Sequence, residues 1–337
     1  MTGGFHMNLH KTLVSVVIVA GIALLPAAPV WSGGAPPFVP KVAHDYNNDN
    51  FSDLMYLDTS NSLLFQLQLQ GTSIQPGSTS VFTLPANWVV SQDGDFNNNP
   101  NADLLLRDTS TGLLFELLLN GTTILGTSTS VFTLPGGWSV LSTGDYNKDN
   151  YVDILLTDGA GLLFGLLVQG TTILPASTSI FTMPGGWSVE GSGDFNNDGY
   201  TDILLNNGSG LLFALIIQGT TILPASTSIF TMPAGVTVAG IGNYDGLNSA
   251  DIMLRDAAGQ LTALLLNGTA ILPSSGGVFN ASGFTVEASG DYNNDGRSDL
   301  MLENPAGLAF ELLLDGTTVL PASTSVWTKP AGWEIVP

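Results

Sequence analysis

The sequence predicts an all-β fold: a six-bladed β-propeller made of four-stranded blades of about 49 residues each. Three observations carry that expectation. A nine-residue loop rich in Asp and Asn returns six times, with its first place at Asp45, Asp95, Asp145, Asp194, Asn243 and Asp291, in steps of 50, 50, 49, 49 and 48 residues. Seven residues before each stands a bulky apolar residue: Phe38, Trp88, Trp138, Trp187, Val236 and Phe284. After each loop come apolar runs such as Asp153-Ile154-Leu155-Leu156 and Leu162 to Val168, separated by Gly-rich turns. These runs are too short and too tightly bounded by glycine for helices, and a strand apolar throughout must be covered on both faces, as stacked blades cover each other. A membrane barrel would show apolar/polar alternation, which the runs lack.

Within a unit, the second run ends at Gln70-Gly71, Asn120-Gly121, Gln169-Gly170, Gln218-Gly219, Asn267-Gly268 or Asp315-Gly316, which reads as a hairpin turn with both central residues at φ > 0. A last strand of the type Thr-Thr-Ile-Leu-Pro…Thr-Ser-Ile-Phe-Thr follows, interrupted near its proline and so placed at a sheet edge. Units begin near residues 38, 88, 138, 187, 236 and 284, and Trp333 to Pro337 starts a further one as a stub. The stub reads as an extra strand closing a six-membered ring; seven blades, or a fragment of a longer chain, are the alternatives. Ahead of the propeller (38–337), residues 1–32 read as a secretory signal, with Leu13 to Leu25 as its apolar stretch, and 33–37 as a flexible start. The protein is therefore expected outside the cytoplasm, secreted or on the cell surface, with the periplasm as an alternative, and with no membrane span once the signal is cleaved.

Composition narrows the chemistry. Hydrophobic residues make up 44% and charged residues 10%, and the formal charge is −21. Of 28 carboxylates, 16 lie inside the six loops, so the acidity belongs to the loops rather than to a general anionic surface. Seven Lys and Arg cannot build a phosphate-tracking face, which excludes nucleic acid as a partner. The absence of cysteine rules out disulfides and thiolate sites. His44 is the one histidine beyond the signal-like segment, so Ser-His nucleophilic catalysis has no base, and no enzyme activity is expected.

The loops themselves read as metal sites. Oxygen-bearing side chains fall at the first, third, fifth and ninth places: Asp45, Asn47, Asp49 and Asp53; Asp95, Asn97, Asn99 and Asp103; Asp145, Asn147, Asp149 and Asp153; Asp194, Asn196, Asp198 and Asp202; Asp291, Asn293, Asp295 and Asp299. All-oxygen ligation from a tight turn suits Ca2+ over zinc or copper, and Mg2+ holds its water shell too firmly. The aromatic at the second place (Tyr46, Phe96, Tyr146, Phe195, Tyr244, Tyr292) is read as a pin into the core.

The stretch Trp187-Ser-Val-Glu-Gly-Ser-Gly-Asp-Phe-Asn-Asn-Asp-Gly-Tyr-Thr-Asp-Ile-Leu-Leu resembles the FG-GAP or VCBS-type repeat of integrin-α-like propellers and many bacterial secreted proteins, over residues 38 to about 332. The resemblance implies a calcium-stabilised propeller used in adhesion or in recognition of a protein or carbohydrate. Two loops depart from it. The fifth (Asn243, Asp245, Asp251) carries Leu247 in place of an oxygen and is expected to bind weakly or not at all; the second carries Pro100 where φ > 0 is wanted and is expected to be distorted. About five calcium sites and one degenerate site result.

Opposite the loops, the turns after each second strand hold Arg107, Asp108, Asp158, Asn207, Arg255 and Asp256, candidates for an unidentified protein or glycan ligand, although turns favour Asp and Asn in any case. Trp88, Trp138 and Trp187 read as blade-to-blade packing rather than sugar platforms. The functional expectation is a secreted, calcium-binding recognition or adhesion module. A structural or self-assembling surface protein stands second, given a mean hydropathy of +0.30, and a calcium-dependent hydrolase third.

Overall fold

Short strands, apolar on both faces, stack around an axis as six four-stranded antiparallel sheets, giving a six-bladed β-propeller with no helix among the described residues. The computed structural model describes Lys41–Val42 and residues 45–336. The signal-like segment, residues 33–37, Phe38 and His44 lie outside the described residues. Among the described residues, no helix is long and apolar enough to cross a membrane.

The third blade shows the plan. Ser139–Gly144, Asp153–Thr157, Leu162–Leu166 and Thr178–Thr182 pair in sequence order. First strands lie nearest the axis and touch one another: Thr143 Oγ1 donates to the Asp93 carbonyl at 2.9 Å, and Ser192 Oγ to the Thr143 carbonyl at 3.2 Å. Second strands, sandwiched on both faces, are buried over most of their length, as their apolar character requires. Each seam between blades carries its own apolar cluster, and each includes one of Trp88, Trp138, Trp187, Val236, Phe284 and Trp333. The tryptophans meet a phenylalanine of their own blade's third strand edge-on, Trp88 with Phe115 at 6.1 Å and Trp187 with Phe213 at 6.0 Å.

The ring closes through the C-terminal stub. Trp333–Val336 pairs antiparallel with Leu54–Asp58 and so supplies the innermost strand of the first blade, with Ile335 opposite Tyr56. Lys41–Val42, which stands in the sequence where that strand would begin, pairs in parallel with Thr285–Gly290 of the sixth blade instead. Trp333 thereby takes the anchor place in the first blade and packs with Tyr56, Phe65 and Trp327.

Two local expectations are corrected. The Thr-Thr-Ile stretch does not belong to the blade's last strand. Val168–Gln169 and Thr172–Ile173 form a separate two-stranded hairpin, because the ladder is broken at Leu167, whose N–H goes to Ser177 Oγ at 3.0 Å. Ser177 Oγ in turn donates to the Leu174 carbonyl at 2.8 Å. Ser78, Ser128, Ser226, Ser275 and Ser323 repeat the device. The hairpin turn also sits one residue later than expected. Gln70 pairs with Ser73, so Gly71 and Thr72 are the central residues, and of the two only Gly71 takes positive φ, at 56°. That is the pattern with glycine first, which matches the strand twist with a single left-handed residue.

Ile335 is 3% exposed in the closing seam. Ile335→Ala is expected to cost about 3 kcal/mol and to lower the melting temperature of the whole ring cooperatively. An unchanged melt would show that closure does not depend on this strand.

Candidate metal loops

Loops two to six join a blade's first and second strands and their ninth residue opens the second strand, whereas the first loop follows Lys41–Val42 of the sixth blade and its ninth residue, Asp53, immediately precedes Leu54–Asp58. Asp53, Asp103, Asp153, Asp202, Asp251 and Asp299 are all fully buried at 0% exposure. Each gives both carboxylate oxygens to backbone N–H groups. In the fourth blade Oδ2 accepts from Phe195 at 3.0 Å and Oδ1 from Ile217 at 2.9 Å. The other five repeat this, with Tyr46 and Leu69 on Asp53 at 3.1 and 2.8 Å, and Tyr244 and Leu266 on Asp251 at 2.8 and 2.6 Å. The second-place aromatics are buried as expected, and three of them reach further: Tyr46 Oη donates to Asp93 at 2.8 Å, and Tyr146 and Tyr244 hydrogen-bond Ser142 and Ser289.

Loops one, three, four and six share one geometry. In the fourth, Asp194 Oδ1 accepts the Asp198 N–H at 3.1 Å and Oδ2 the Gly199 N–H at 2.8 Å. Asn196 Oδ1 accepts the Asp198 N–H at 3.1 Å, and Asp198 Oδ1 the Tyr200 N–H at 2.9 Å. Asp45, Asn47 and Asp49, then Asp145, Asn147 and Asp149, then Asp291, Asn293 and Asp295 repeat these bonds. The sixth place takes positive φ, 84° at Gly199, 68° at Asn50 and 66° at Asn150, and so does the fourth, 57° at Asn197 and 61° at Lys148. Two left-handed residues within four make the sharp curl that brings the first, third and fifth side chains to one side.

The loops also link into a circuit. The eighth-place N–H of each loop donates to the first-place carbonyl of the preceding blade's loop: Ala102 to Asp45 (2.9 Å), Val152 to Asp95 (3.1 Å), Thr201 to Asp145 (2.9 Å), Ala250 to Asp194 (2.7 Å), Ser298 to Asn243 (2.7 Å) and Ser52 to Asp291 (2.8 Å). The sixth bond returns to the first blade, so the ring is continuous.

The donor set fits a hard dication. Burial pushes the Asp53 carboxyl up to about 8, with the charges of Asp45 and Asp49 adding to the rise and the Leu69 and Tyr46 N–H groups opposing it. Asp103, Asp153, Asp202, Asp251 and Asp299 are pushed up to about 7, again with burial first. Carboxylates brought together against their own repulsion, with neutral amide oxygens between them, form a set that a cation would stabilise. Among the described residues no three His, Cys, Asp or Glu side chains form a metal-holding group.

The two departing loops differ as their residues dictate. In the fifth, Leu247 is 56% exposed and turned to solvent, while Asn243 Oδ1 is buried without a hydrogen-bond partner. In the second, the proline ring resists the left-handed region, and Pro100 sits at φ 38°, short of its counterparts. Pro100 also has no N–H to offer Asp95, and Asn99 turns its amide to the Leu119 carbonyl at 2.9 Å. Asn97 swings inward, its Nδ2 donating to Asp103 at 3.3 Å.

On the opposite face the candidate ligand residues serve their own turns. Asp108 Oδ1 accepts from the Ser110 hydroxyl and N–H, as Asp58 at the matching turn of the first blade does from those of Ser60, contacts that hold both carboxyls below the usual range. Asp158, Asn207 and Asp256 each accept two N–H bonds within their turns. Arg255 Nη2 donates to the Phe284 carbonyl at 2.6 Å, tying its turn to the next blade, and Arg107 Nε is buried without a hydrogen-bond partner.

Sequence reasoning missed one set of residues. At the same place in the third strand stand Gln66, Glu116, Gly165, Ala214, Ala263 and Glu311. The three polar ones are 0% exposed, and none of their side-chain polar atoms has a hydrogen-bond partner. Their signal was a polar residue inside an otherwise apolar Leu-Leu-Phe-x-Leu run.

No family model matches the chain, and no curated protein matches it. Solved structures that resemble it include that of a nidogen/laminin complex (12% identity, 82% of this chain and 99% of that chain, TM-score 0.47). The calcium-binding protein regucalcin from Agrobacterium tumefaciens str. C58 matches at 14% identity over 88% of this chain and 94% of that one, with TM-score 0.48. A post-proline cleaving enzyme from Rickettsia typhi matches at 8% identity over 84% of this chain and 54% of that one, with TM-score 0.47. Likeness at this level carries no argument about what the chain binds or does.

Two outcomes separate folding from metal binding. Asp202→Ala leaves two buried N–H groups without acceptors and is expected to destabilise the calcium-free protein by about 3 kcal/mol, whereas Asp198→Ala is expected to change stability mainly when calcium is present; chemical denaturation with and without calcium checks both. The ninth-place carboxyls titrate higher folded than unfolded, so between about pH 4 and 7 the folded chain holds more protons. The calcium-free protein is therefore expected to lose stability as pH rises through that window, melting lower at pH 8 than at pH 5. Calcium, which favours the ionised form, is expected to flatten or invert the trend.

Proposed function

We propose that the chain is a calcium-binding propeller that works as a recognition or adhesion module outside the cell, with calcium serving the scaffold. The observation that carries the calcium part is the fourfold identical loop geometry, in which Asp and Asn oxygens at the first, third and fifth places share one tight curl that leads into a buried ninth-place aspartate. The FG-GAP or VCBS likeness, resting on those same motif residues, supports recognition of a protein or carbohydrate. The face opposite the loops, where the turns differ from blade to blade, is the favoured place for such a ligand.

A second reading, self-assembly, has an observation of its own. Ile74, Ile124, Ile222 and Ile271, between 37% and 40% exposed, stand on the short hairpins beside the metal loops, a repeated apolar feature. Sedimentation across a concentration series distinguishes it from recognition of a separate ligand.

Calcium at a hundredfold excess over Kd is expected to add about 2.7 kcal/mol for each site, a large rise in melting temperature that EDTA abolishes. With extracellular-type loops, whose Kd is about 0.1–1 mM, that excess calls for calcium at about 10–100 mM. No shift there removes the calcium reading. A glycan and protein array probed with and without EDTA then tests the recognition reading.

A further inference from the structure

The second loop is the least regular, and the blade around it holds three buried acceptor oxygens without donors, two of them on one carboxylate. Asn97 Oδ1 and both Glu116 oxygens are buried and have no hydrogen-bond partner. In the four regular loops the third-place Oδ1 accepts the fifth-place N–H instead. Glu116 lies opposite Leu105, and Asp103, two residues along the same strand, shares the face. Asp103 is also the charged neighbour that bears on the Glu116 carboxyl. Asn97 Nδ2 donates to Asp103 Oδ1 at 3.3 Å, and a turn of that amide would bring its unpartnered Oδ1 to the same side as Asp103.

The rim of this loop is correspondingly depleted. The fifth place is an amide already bonded to the Leu119 carbonyl, and the sixth is a proline. Buried carboxylates without donors are costly unless a cation, a proton or ordered water meets them. Water would need to donate to every oxygen present, whereas a cation satisfies acceptors without donating.

We propose that the second blade binds its calcium ion deeper than the other blades do, between Glu116, Asp103 and Asn97, with Glu116 as a ligand drawn from the third strand. Glu116 replaces the carboxylate that the fifth place has lost to Asn99. The inference rests on the calcium reading of the loops, but it concerns one ion only.

The test counts bound calcium per chain by elemental analysis after gel filtration in calcium chloride, alongside calcium titration. Glu116→Leu, which substitutes an apolar side chain in an apolar seam, is expected to lose one ion per chain relative to the wild type. Glu116→Gln places in this blade the residue that Gln66 already supplies at the same position in the first, so it is expected to fold and to weaken that one ion at least tenfold. An unchanged count for the leucine variant, or unchanged affinities for the glutamine variant, overturns the proposal. A wild-type chain that takes up no calcium overturns the calcium reading itself, and the two failures are distinct.

Discussion

The ninth-place aspartate is the contact on which the blades depend. Its two oxygens hold the N–H at the start of the loop and the N–H where the third strand hands over to the short hairpin, so one buried side chain ties three segments of a blade. Taking a carboxylate out of water is costly, and two charge-assisted backbone hydrogen bonds offset only part of that cost. The first- and fifth-place carboxylates then crowd the same loop. The result is a firmly built site under electrostatic load, which a proton or a cation relieves.

That local contact becomes global through the circuit of backbone bonds. A loop curled correctly presents its first carbonyl to the next blade's eighth N–H, so each loop's shape sets the seating of its neighbour. The circuit needs six blades in register, and register in the last seam depends on Trp333–Val336 entering the first blade. A strand from the far end of the chain is thus required before the first loop can seat against the sixth. Contacts this distant in sequence bring no return until the ring is nearly complete, which favours all-or-none closure.

Much of this was legible because the repeat is written in residue types with narrow physical roles. A 49-residue spacing, apolar runs without alternation and six oxygen-rich loops lead directly to stacked blades. The same reading placed the buried second-place aromatics in the core and identified the fifth and second loops as the irregular ones. What it missed depends on backbone detail. Gly71 and Thr72, rather than Gln70 and Gly71, form the turn, because pairing register, not composition, decides which residues are central. Ser177 interrupts the third strand through a hydroxyl that acts on Leu167, ten residues earlier, a contact that no strand pattern reveals. The circuit between loops uses only backbone atoms and leaves no mark in the sequence at all. Glu116 and Glu311 were visible as letters, but their burial without partners emerges only from the packed seam.

Repetition also bears on where the chain's individual work is done. A side chain held in the same hydrogen bond six times over serves the scaffold, and this covers the ninth-place aspartates and the hairpin serines. Differences between blades are concentrated elsewhere. Gln66, Glu116 and Glu311 make the sixth, first and second blades polar inside, while Gly165, Ala214 and Ala263 leave the other three apolar. Charge reinforces the contrast. With 16 of 28 carboxylates in the loops and a formal charge of −21, the calcium-free ring repels itself most strongly on one face, and about five dications would offset roughly half of that charge. Calcium would then act less as a reagent than as the counter-charge that lets six acidic loops share a face. The unlike turns on the other face would remain free to meet a partner.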